Sequence, residues 1–301
     1  MFRRLLALLA WCGHLAASSP DQCRLSHICC GDGGTPLTHV SPDRIGLVGD
    51  VHANLNVTLN AIKVLGARGI SEIHFLGDFG FIWNGGAKEC RILGMIDAAL
   101  EKAGAVGYVT GGNHEGYDQL LAIEPDANGL RWLAARIALL PRGWRASTPS
   151  GTSIASIGGA NSIDRSSRRP GVSWWEQEQI TEADFAALST DHADILLAHD
   201  SPPTASLNAR LAKNSGLWAS ADLAYAEEGQ GMFMRAFLAT SPRLAVGGHH
   251  HLHHDVTERF HGAQWFESRV VILAADGEAN SIAILDTETL ALEFLNSRPW
   301  A

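Results

Sequence analysis

Apolar and polar residues recur with two different periods after residue 41, and these periods predict the secondary structure. Short apolar runs without a helical period predict buried strands at residues 44–48, 72–76 and 105–110. Between them, apolar side chains recur every three to four residues, which predicts a helix capped by Asn54 and a second helix over 87–102. The alternation of strand and helix is typical of a layered α/β sheet with right-handed crossovers.

The pattern in the second half of the chain is less regular, and it predicts shorter elements. Helices are expected over 130–135, over 181–188 with Thr181 as its cap, and over 231–240. Strands are expected at 153–157, 193–198, 243–246, 265–267, 270–273, 281–285 and 290–294. Neither an internal repeat nor a Pro/Gly/Ser linker follows residue 41, so we expect a single domain over residues 41–301.

Residues 1–40 are expected to form a leader outside that domain. The first residues, MFRRLLALLAWCGHLAA, have the basic start, apolar run and small residues of a secretory signal. Cys12, Gly13 and His14 interrupt the apolar run, so an unstructured extension explains the segment equally well. Four of the 5 cysteines lie in this leader and only Cys90 lies in the body, which is not a disulfide framework. This distribution favours a cytoplasmic location, with export through the signal-like leader as the alternative.

The composition is that of a globular protein with a sizeable core, since 46% of the 301 residues are hydrophobic and 18% are charged. The net charge of −9 argues against a protein that coats duplex nucleic acid, which would need a basic face. It does not exclude a small phosphate substrate held by metal ions. No apolar run approaches the roughly 20 residues that span a bilayer, so we expect no transmembrane segment. Histidine is unusually frequent, with 14 residues.

Polar residues of metal-binding type directly follow five of the predicted strands. These segments are Gly49-Asp50-Val51-His52, Gly77-Asp78, Gly112-Asn113-His114-Glu115, His199-Asp200 and Gly248-His249-His250-His251. Because ligands gather at the carboxyl ends of strands in α/β sheets, we expect these side chains to converge. Carboxylate, amide and imidazole groups together suit manganese, iron or zinc better than magnesium alone. Side chains alternate along an extended segment, so His249 and His251 should face one region while His250 points away.

In this order, the five segments resemble the motifs of the calcineurin-like metallophosphoesterases. The matches are GDVH at 49–52, GD at 77–78, GNHE at 112–115, His199, and GHHH at 248–251. The resemblance extends from about residue 44 to the end of the chain. It implies an α/β fold in which a two-sheet β-sandwich is flanked by helices. It also implies a dinuclear metal-dependent phosphoesterase that hydrolyses phosphate mono- or diesters by metal-activated hydroxide, with nucleotide-like esters among the candidates.

The same resemblance implies a role for each residue of these motifs. The cofactors would be two divalent metal ions, either manganese, iron or zinc. One ion would be held by Asp50, His52 and His251, the other by Asn113, His199 and His249, and Asp78 would bridge them. His114 would lie beside the scissile phosphate as an acid or charge stabiliser and not as a metal ligand.

Other readings of these residues remain open on the sequence alone. An isolated strand-end aspartate is usually a turn or cap residue, and an isolated histidine is usually hydrogen-bonded within the structure. The fold could also serve as a non-catalytic scaffold for protein binding, and the histidine run 249–254 could store zinc.

A polar loop at residues 161–175 contains three arginines and ends in two tryptophans. Arg165, Arg168 and Arg169 could bind a substrate phosphate, although a solvated loop is the favoured interpretation for the last two. Trp174 and Trp175 could stack on a base, but at least one of them is expected in the core.

Overall fold

The structure is a computed structural model, and it describes residues 39–295. The strands in chain order are β1 (His39–Val40), β2 (Arg44–Val48), β3 (Glu72–Phe75), β4 (Val106–Val109), β5 (Arg131–Ala134), β6 (Ile137–Leu139), β7 (Trp144–Ser147), β8 (Ser153–Ile157), β9 (Ile195–Ala198), β10 (Leu244–Gly247), β11 (His254–His261), β12 (Trp265–Ile272), β13 (Ile282–Asp286) and β14 (Ala291–Leu295). The helices are α1 (Leu55–Gly66), α2 (Ala87–Ala103), α3 (Tyr117–Leu121), α4 (Glu182–Leu188), α5 (Ala205–Leu211) and α6 (Ser220–Thr240). Short 3₁₀ turns lie at Arg165–Ser167, Glu176–Glu178 and Ala212–Leu217.

These strands form two mixed sheets of seven strands each, flanked by helices, which confirms the expected fold. The first sheet has the order β14-β13-β2-β3-β4-β6-β5, and the second has the order β1-β7-β8-β9-β10-β12-β11. Strands β2, β3 and β4 are parallel neighbours in the first sheet, and β8, β9 and β10 are parallel neighbours in the second. Each group of parallel strands therefore ends at one edge of its sheet.

The buried apolar residues form three clusters that account for the layers. One cluster joins the facing sides of the two sheets, for example through Leu47 of β2 and Leu197 of β9. A second packs α1 and α2 on the outer side of the first sheet, and it includes Ile62. The third packs α4 and α6 on the outer side of the second sheet, and it includes Phe233. Because the central strands bury both faces, they read as continuous apolar runs in the sequence.

The predicted caps of two helices are present. The Asn54 side chain accepts a hydrogen bond from the backbone N–H of Val57 at the start of α1. Thr181 and Asp184 form a reciprocal capping box at the start of α4. Local hydrogen bonds of this kind depend on neighbouring residues only, which explains why the sequence predicted them correctly.

The sequence pattern was wrong where a short apolar run pairs with a distant strand. The helix expected over 130–135 is instead the strand β5, which pairs antiparallel with β6, while β6 lies against β4. A run of six residues cannot distinguish a strand from a helix by periodicity, and pairing with the open edge of the sheet decides it here. Helix α6 also begins at Ser220, well before the expected start at Gly231.

The predicted leader lies almost entirely outside the described residues, so its signal-like features do too. Strand β1, at His39–Val40, immediately precedes the expected domain boundary at residue 41 and pairs with β7. Within residues 39–295, none of the helices is both long and apolar enough to cross a bilayer.

Candidate metal centre

The candidate ligands lie in the loops that directly follow β2, β3, β4, β9 and β10. Four of these residues have left-handed backbone conformations, with φ of 44° at His52, 45° at Asp78, 64° at His249 and 52° at His251. Such conformations are uncommon for residues other than glycine, and they concentrate at functional sites. The loops therefore carry local strain at the positions where the side chains converge.

Two glycines allow these loops to approach one another closely. A Cβ atom at Gly248 would lie 2.0 Å from Oδ1 of Asp50, and one at Gly77 would lie 2.0 Å from Nδ1 of His199. No side chain fits at such distances, so glycine is required at both positions. Gly77 and Gly248 therefore allow the loops of the centre to pack closely against one another.

The first group of candidate ligands consists of Asp50, His52, Asp78 and His251. Each offers one ligand atom, and these atoms lie within 4.8 Å of one another. Nε2 of His52 is 3.3 Å from Oδ2 of Asp78, and Nε2 of His251 is 3.3 Å from Oδ2 of Asp50. This spacing allows the four side chains to hold one divalent cation.

The second group lies on the side of the other oxygen of Asp78, which His199 faces. Nε2 of His199 lies 3.2 Å from Oδ1 of Asp78 and 3.0 Å from Oδ1 of Asn113. The ring of His249 packs on that of His199, with centroids 5.0 Å apart. Asp78 therefore presents one carboxylate oxygen to each group, which is the geometry that a bridging ligand requires.

Two polar atoms in the first group have no hydrogen-bond partner although they are buried. They are Nε2 of His52 and Oδ2 of Asp78. Burying a polar group without a partner is costly, and a carboxylate oxygen facing an imidazole nitrogen at 3.3 Å suits a cation between them. The residues present therefore fit a divalent metal ion.

The electrostatics of the second group also favour a positive charge. Burial lowers the pKa of His199, but the carboxylates of Asp78 and Asp50 act more strongly and raise it to about 10. Burial lowers the pKa of His249 to about 3, so its imidazole is neutral and has a lone pair for coordination. Without a cation, a proton on His199 partly offsets the carboxylates, and a bound metal would replace it.

The remaining histidines of the run have other partners. Nε2 of His250 lies 3.4 Å from the buried Asp200 carboxylate. Nδ1 of His253 is 3.1 Å from the carbonyl oxygen of Ile272, and Nε2 of His254 is 3.0 Å from the hydroxyl of Thr204. Each of these three histidines therefore contacts another part of the fold.

His114 lies beside Asp78 and is in contact with an arginine that the sequence interpretation placed in a solvated loop. The side chain of Arg168 is only 5% exposed, and its Nη2 donates a hydrogen bond of 2.7 Å to Nε2 of His114. Its Nη1 donates to the carbonyl oxygen of Asn113, and its Nε donates to Asp164. The solvated-loop interpretation of Arg168 is wrong, because the Asp164 carboxylate four residues earlier turns the guanidinium inward. That acid–base pair at a spacing of four was the available signal.

These contacts also determine the charge of His114 in the free protein. Burial lowers the pKa of His114 well below its ordinary value, and Arg168 acts in the same direction while Asp78 opposes it. A neutral imidazole with Nε2 as hydrogen-bond acceptor agrees with donation from Arg168. His114 is 3.9 Å from Oδ2 of Asp78, so it borders the first group of ligands.

The two tryptophans of the loop have partners within the protein. The guanidinium of Arg165 lies 3.5 Å from the ring centroid of Trp174, and Nε1 of Trp174 donates to Glu178. Trp175 is 8% exposed and packs on Trp83. The expectation of one core tryptophan is met by Trp175, while Arg165 covers a face of Trp174 that base stacking would use.

Glu115 was left without a role by the sequence pattern, although it supports the turn that carries Asp78. Its carboxylate accepts hydrogen bonds from the backbone N–H groups of Phe79 and Gly80. Burial raises the pKa of Glu115 to about 7, with the nearby Asp78 contributing in the same direction. Contacts between residues 35 and more positions apart leave no periodic signal in the sequence, which explains the omission.

Comparisons with known proteins agree with this architecture. The family model for the calcineurin-like phosphoesterases matches residues 43–253, which is more than two thirds of the chain. A search of curated proteins gave no match. Among solved structures, the Thermus thermophilus protein TT1561 is 15% identical, with 85% of this chain and 99% of that chain covered and a TM-score of 0.51. A dimetal phosphatase from Danio rerio is 13% identical, with 80% and 91% covered and a TM-score of 0.46.

The family model spans the loops after β2, β3, β4, β9 and β10, where the candidate ligands lie. The matched region therefore contains these loops of the two-sheet fold. It also contains the cluster formed by Asp50, His52, Asp78 and His251. The chain belongs to the calcineurin-like phosphoesterase family.

Proposed function

We propose that this protein is a dinuclear metal-dependent phosphoesterase that hydrolyses small phosphate mono- or diesters. The observation that carries the proposal is the position of Asp78, whose two carboxylate oxygens face two different groups of ligands. A single buried carboxylate shared in this way is suited to two cations a short distance apart. Family membership supports the class of reaction.

In this proposal each candidate ligand has a defined place. Asp50, His52 and His251 hold one cation with Asp78, and Asn113, His199 and His249 hold the other with Asp78. Neutral imidazoles among carboxylates favour manganese, iron or zinc over magnesium alone. Two divalent cations in this place would neutralise a phosphate ester and make a nearby water molecule more acidic.

The side chains of His114 and Arg168 complete the substrate side of the centre. Arg168 is held by Asp164 and points its guanidinium at His114, so both side chains reach the same part of the site. A guanidinium can bind two phosphate oxygens at once. Arg168 would therefore orient the ester. His114, neutral in the free protein, would act at the leaving oxygen as a charge stabiliser, or as an acid once the bound phosphate raises its pKa.

The structure offers less support to the two alternatives. A non-catalytic scaffold has no need of four metal-binding side chains whose ligand atoms gather within 4.8 Å of one another, as those of Asp50, His52, Asp78 and His251 do. A zinc-storage role for the histidine run would need free imidazoles, whereas His253 and His254 have hydrogen-bond partners in the fold.

The decisive experiment is metal reconstitution followed by turnover. The protein is stripped with a chelator, reloaded separately with Mn²⁺, Zn²⁺ or Fe²⁺, and assayed on bis(4-nitrophenyl) phosphate and 4-nitrophenyl phosphate. We expect hydrolysis of at least one ester that depends on added metal. Folded protein that holds two metal ions and hydrolyses neither ester, but binds a protein partner stoichiometrically, would favour the scaffold.

A further inference from the structure

Glu178 lies outside the proposed ligand set and is connected to it through one serine. It is 1% exposed and belongs to the Glu176–Glu178 turn. Its Oε1 accepts hydrogen bonds from the backbone N–H of Ser162 at 2.8 Å, from Nε1 of Trp174 at 2.9 Å and from the Tyr225 hydroxyl at 3.0 Å. Its Oε2 accepts from the Ser162 hydroxyl at 2.6 Å. Four donors therefore hold this carboxylate in one orientation.

The direction of the hydrogen bonds can be followed from Glu178 to Asn113. An ionised carboxylate only accepts hydrogen bonds, so the hydroxyl proton of Ser162 points to Glu178. The Ser162 oxygen then accepts a hydrogen bond from Nδ2 of Asn113 at 3.1 Å. With its nitrogen on that side, the Asn113 amide must turn its oxygen to the opposite side, where Oδ1 lies 3.0 Å from Nε2 of His199.

We propose that Glu178 is a positioning residue that keeps the carbonyl oxygen of Asn113 turned toward the metal centre. This proposal rests on the proposed function, in which Asn113, His199 and His249 hold one of two cations. An amide nitrogen has no lone pair available for coordination, so a flipped Asn113 would remove a ligand and direct two N–H groups at the cation. The direction of the hydrogen bonds in this relay from Glu178 through Ser162 to Asn113 is set by a charge outside the ligand set. It thus favours the amide orientation in which Asn113 can bind a metal.

The substitution Glu178→Gln reverses the direction of the hydrogen bonds between residue 178, Ser162 and Asn113 without changing the shape of the side chain. Three donors converge on the Oε1 position, so the glutamine oxygen remains there and its NH₂ group takes the place of Oε2. The Ser162 oxygen must then accept from the glutamine and direct its own proton at Asn113. That proton competes with His199 for the Asn113 oxygen and favours the orientation of the amide in which Nδ2 is turned toward His199.

The expected result is a selective loss of the second cation. Calorimetric titration of chelator-treated protein with Mn²⁺ should show its dissociation constant increased by about 10- to 100-fold, while that of the first cation is unchanged. The metal content measured after desalting should fall toward one ion per chain. Binding of the second Mn²⁺ with the wild-type affinity would overturn the proposal.

A second substitution separates positioning from a merely structural role. Combining Glu178→Gln with Asn113→Asp gives residue 113 two acceptor oxygens, one for the Ser162 proton and one for the cation. The double variant should recover most of the affinity for the second Mn²⁺. Because the added charge strengthens cation binding in either background, the Asn113→Asp single variant is the reference. Positioning predicts that Glu178→Gln weakens the second Mn²⁺ when residue 113 is Asn but not when it is Asp, whereas a merely structural role predicts the same loss in both.

Controls and a fallback keep the test informative. Glu176→Gln changes an exposed carboxylate in the same turn, and Tyr225→Phe removes a donor to Oε1 without touching the Ser162 relay, so both should bind two Mn²⁺ ions normally. If Glu178→Gln does not fold, Ser162→Ala removes the acceptor for Nδ2 of Asn113 and should weaken the second cation; unchanged affinity there would overturn the proposal. Failure of the wild-type protein to bind two ions would instead contradict the dinuclear function itself.

Discussion

At the scale of single residues, the centre depends on how Asp78 distributes its hydrogen bonds. Oδ1 of Asp78 accepts from the backbone N–H groups of Asn113 and His114, at 2.9 and 2.8 Å. Oδ2 is buried without a hydrogen-bond partner and faces His52. Oδ1 thus holds the loop after β4 in place while it faces His199 of the second group, and Oδ2 faces His52 of the first group.

Asp78→Asn should therefore lose metal and activity together. The amide has no charge to offset two cations, and one of its ends carries N–H groups that would face either the backbone donors or the metal. We expect metal analysis to show fewer than two ions per chain and turnover to fall below detection. Asp118→Asn, at an exposed position in α3, is the matched control. Two bound ions with normal turnover in Asp78→Asn would contradict the bridging role.

His250 and His251 are neighbours with opposite expected effects. His251 faces Asp50 and belongs to the metal cluster, so His251→Ala should reduce occupancy of the first cation. His250 lies beside Asp200, so His250→Ala should keep both metals but remove one of the groups that face this buried carboxylate. That loss should lower the free energy of unfolding by about 1–3 kcal/mol. Metal analysis and urea denaturation of both variants distinguish the two roles, and a larger metal loss in His250→Ala would reverse the assignment.

His114→Ala should retain both metal ions and lose turnover. His114 borders the cluster at 3.9 Å from Asp78 and is not among the four clustered ligands. We expect kcat to fall by about 10²- to 10⁴-fold with little change in KM if the side chain acts mainly in the transition state. The loss should shrink for esters with better leaving groups, since these need less protonation. A parallel fall in metal content would instead identify His114 as a ligand.

At the scale of secondary-structure elements, β1 lies just before the domain boundary expected at residue 41 and pairs with a strand of the second sheet. His39 and Val40 pair with Ala146 and Ser147 of β7, and the backbone N–H of Ser41 donates to the carbonyl of Ser147. The apolar pattern begins only with β2, because β1 has two residues and one of them, Val40, is 61% exposed. Such a strand is recognised by its pairing partner and not by its own sequence.

Two truncations test the contribution of β1. A chain that starts at residue 42 loses β1 and Ser41, whereas a chain that starts at residue 39 keeps them. We expect the shorter chain to be less stable by about 3 kcal/mol, because it loses strand pairing and two hydrogen bonds to a buried carboxylate. Both chains lack residues 1–38, so their difference in urea denaturation reports on residues 39–41 alone. Equal stability would show that β1 contributes nothing and support the boundary at residue 41.

At the scale of the whole molecule, Glu72 connects the two sheets. It lies on β3 of the first sheet, is 5% exposed, and accepts hydrogen bonds from His39 at 2.9 Å and Ser41 at 2.7 Å, which belong to or follow β1 of the second sheet. His74, on β3 itself, lies 2.9 Å from the same carboxylate. Burial raises the pKa of Glu72, but the hydrogen bonds to His39 and His74 act more strongly and lower it to about 2.

This carboxylate should make stability depend on pH in a defined window. Because the folded-state pKa of about 2 lies below the ordinary value of 4.5, its contribution is complete above pH 4.5 and is lost as the pH falls toward 2. The pH-dependent part amounts to about 3 kcal/mol. The difference in the free energy of unfolding between wild type and Glu72→Gln, measured by urea denaturation, should therefore shrink by this amount on acidification. Glu101→Gln, whose side chain is 70% exposed, is the control, and a difference that stays constant with pH would contradict the assignment.

The sequence by itself determined the elements whose signals are local, such as α1 with its Asn54 cap and the buried strands β2, β3 and β4. It also placed residues of metal-binding type directly after the strands. Their convergence could be predicted because the carboxyl ends of parallel strands meet at one edge of a sheet. Only the tertiary structure decided that 130–135 forms part of a strand pair and that Arg168 turns toward His114. Only the tertiary structure connected Glu178 to Asn113 through Ser162. These outcomes depend on contacts between residues far apart in the chain, and the free energy of such contacts cannot be inferred from a short stretch of sequence. Periodicity and capping depend on near neighbours alone, so a short stretch of sequence is enough to predict them.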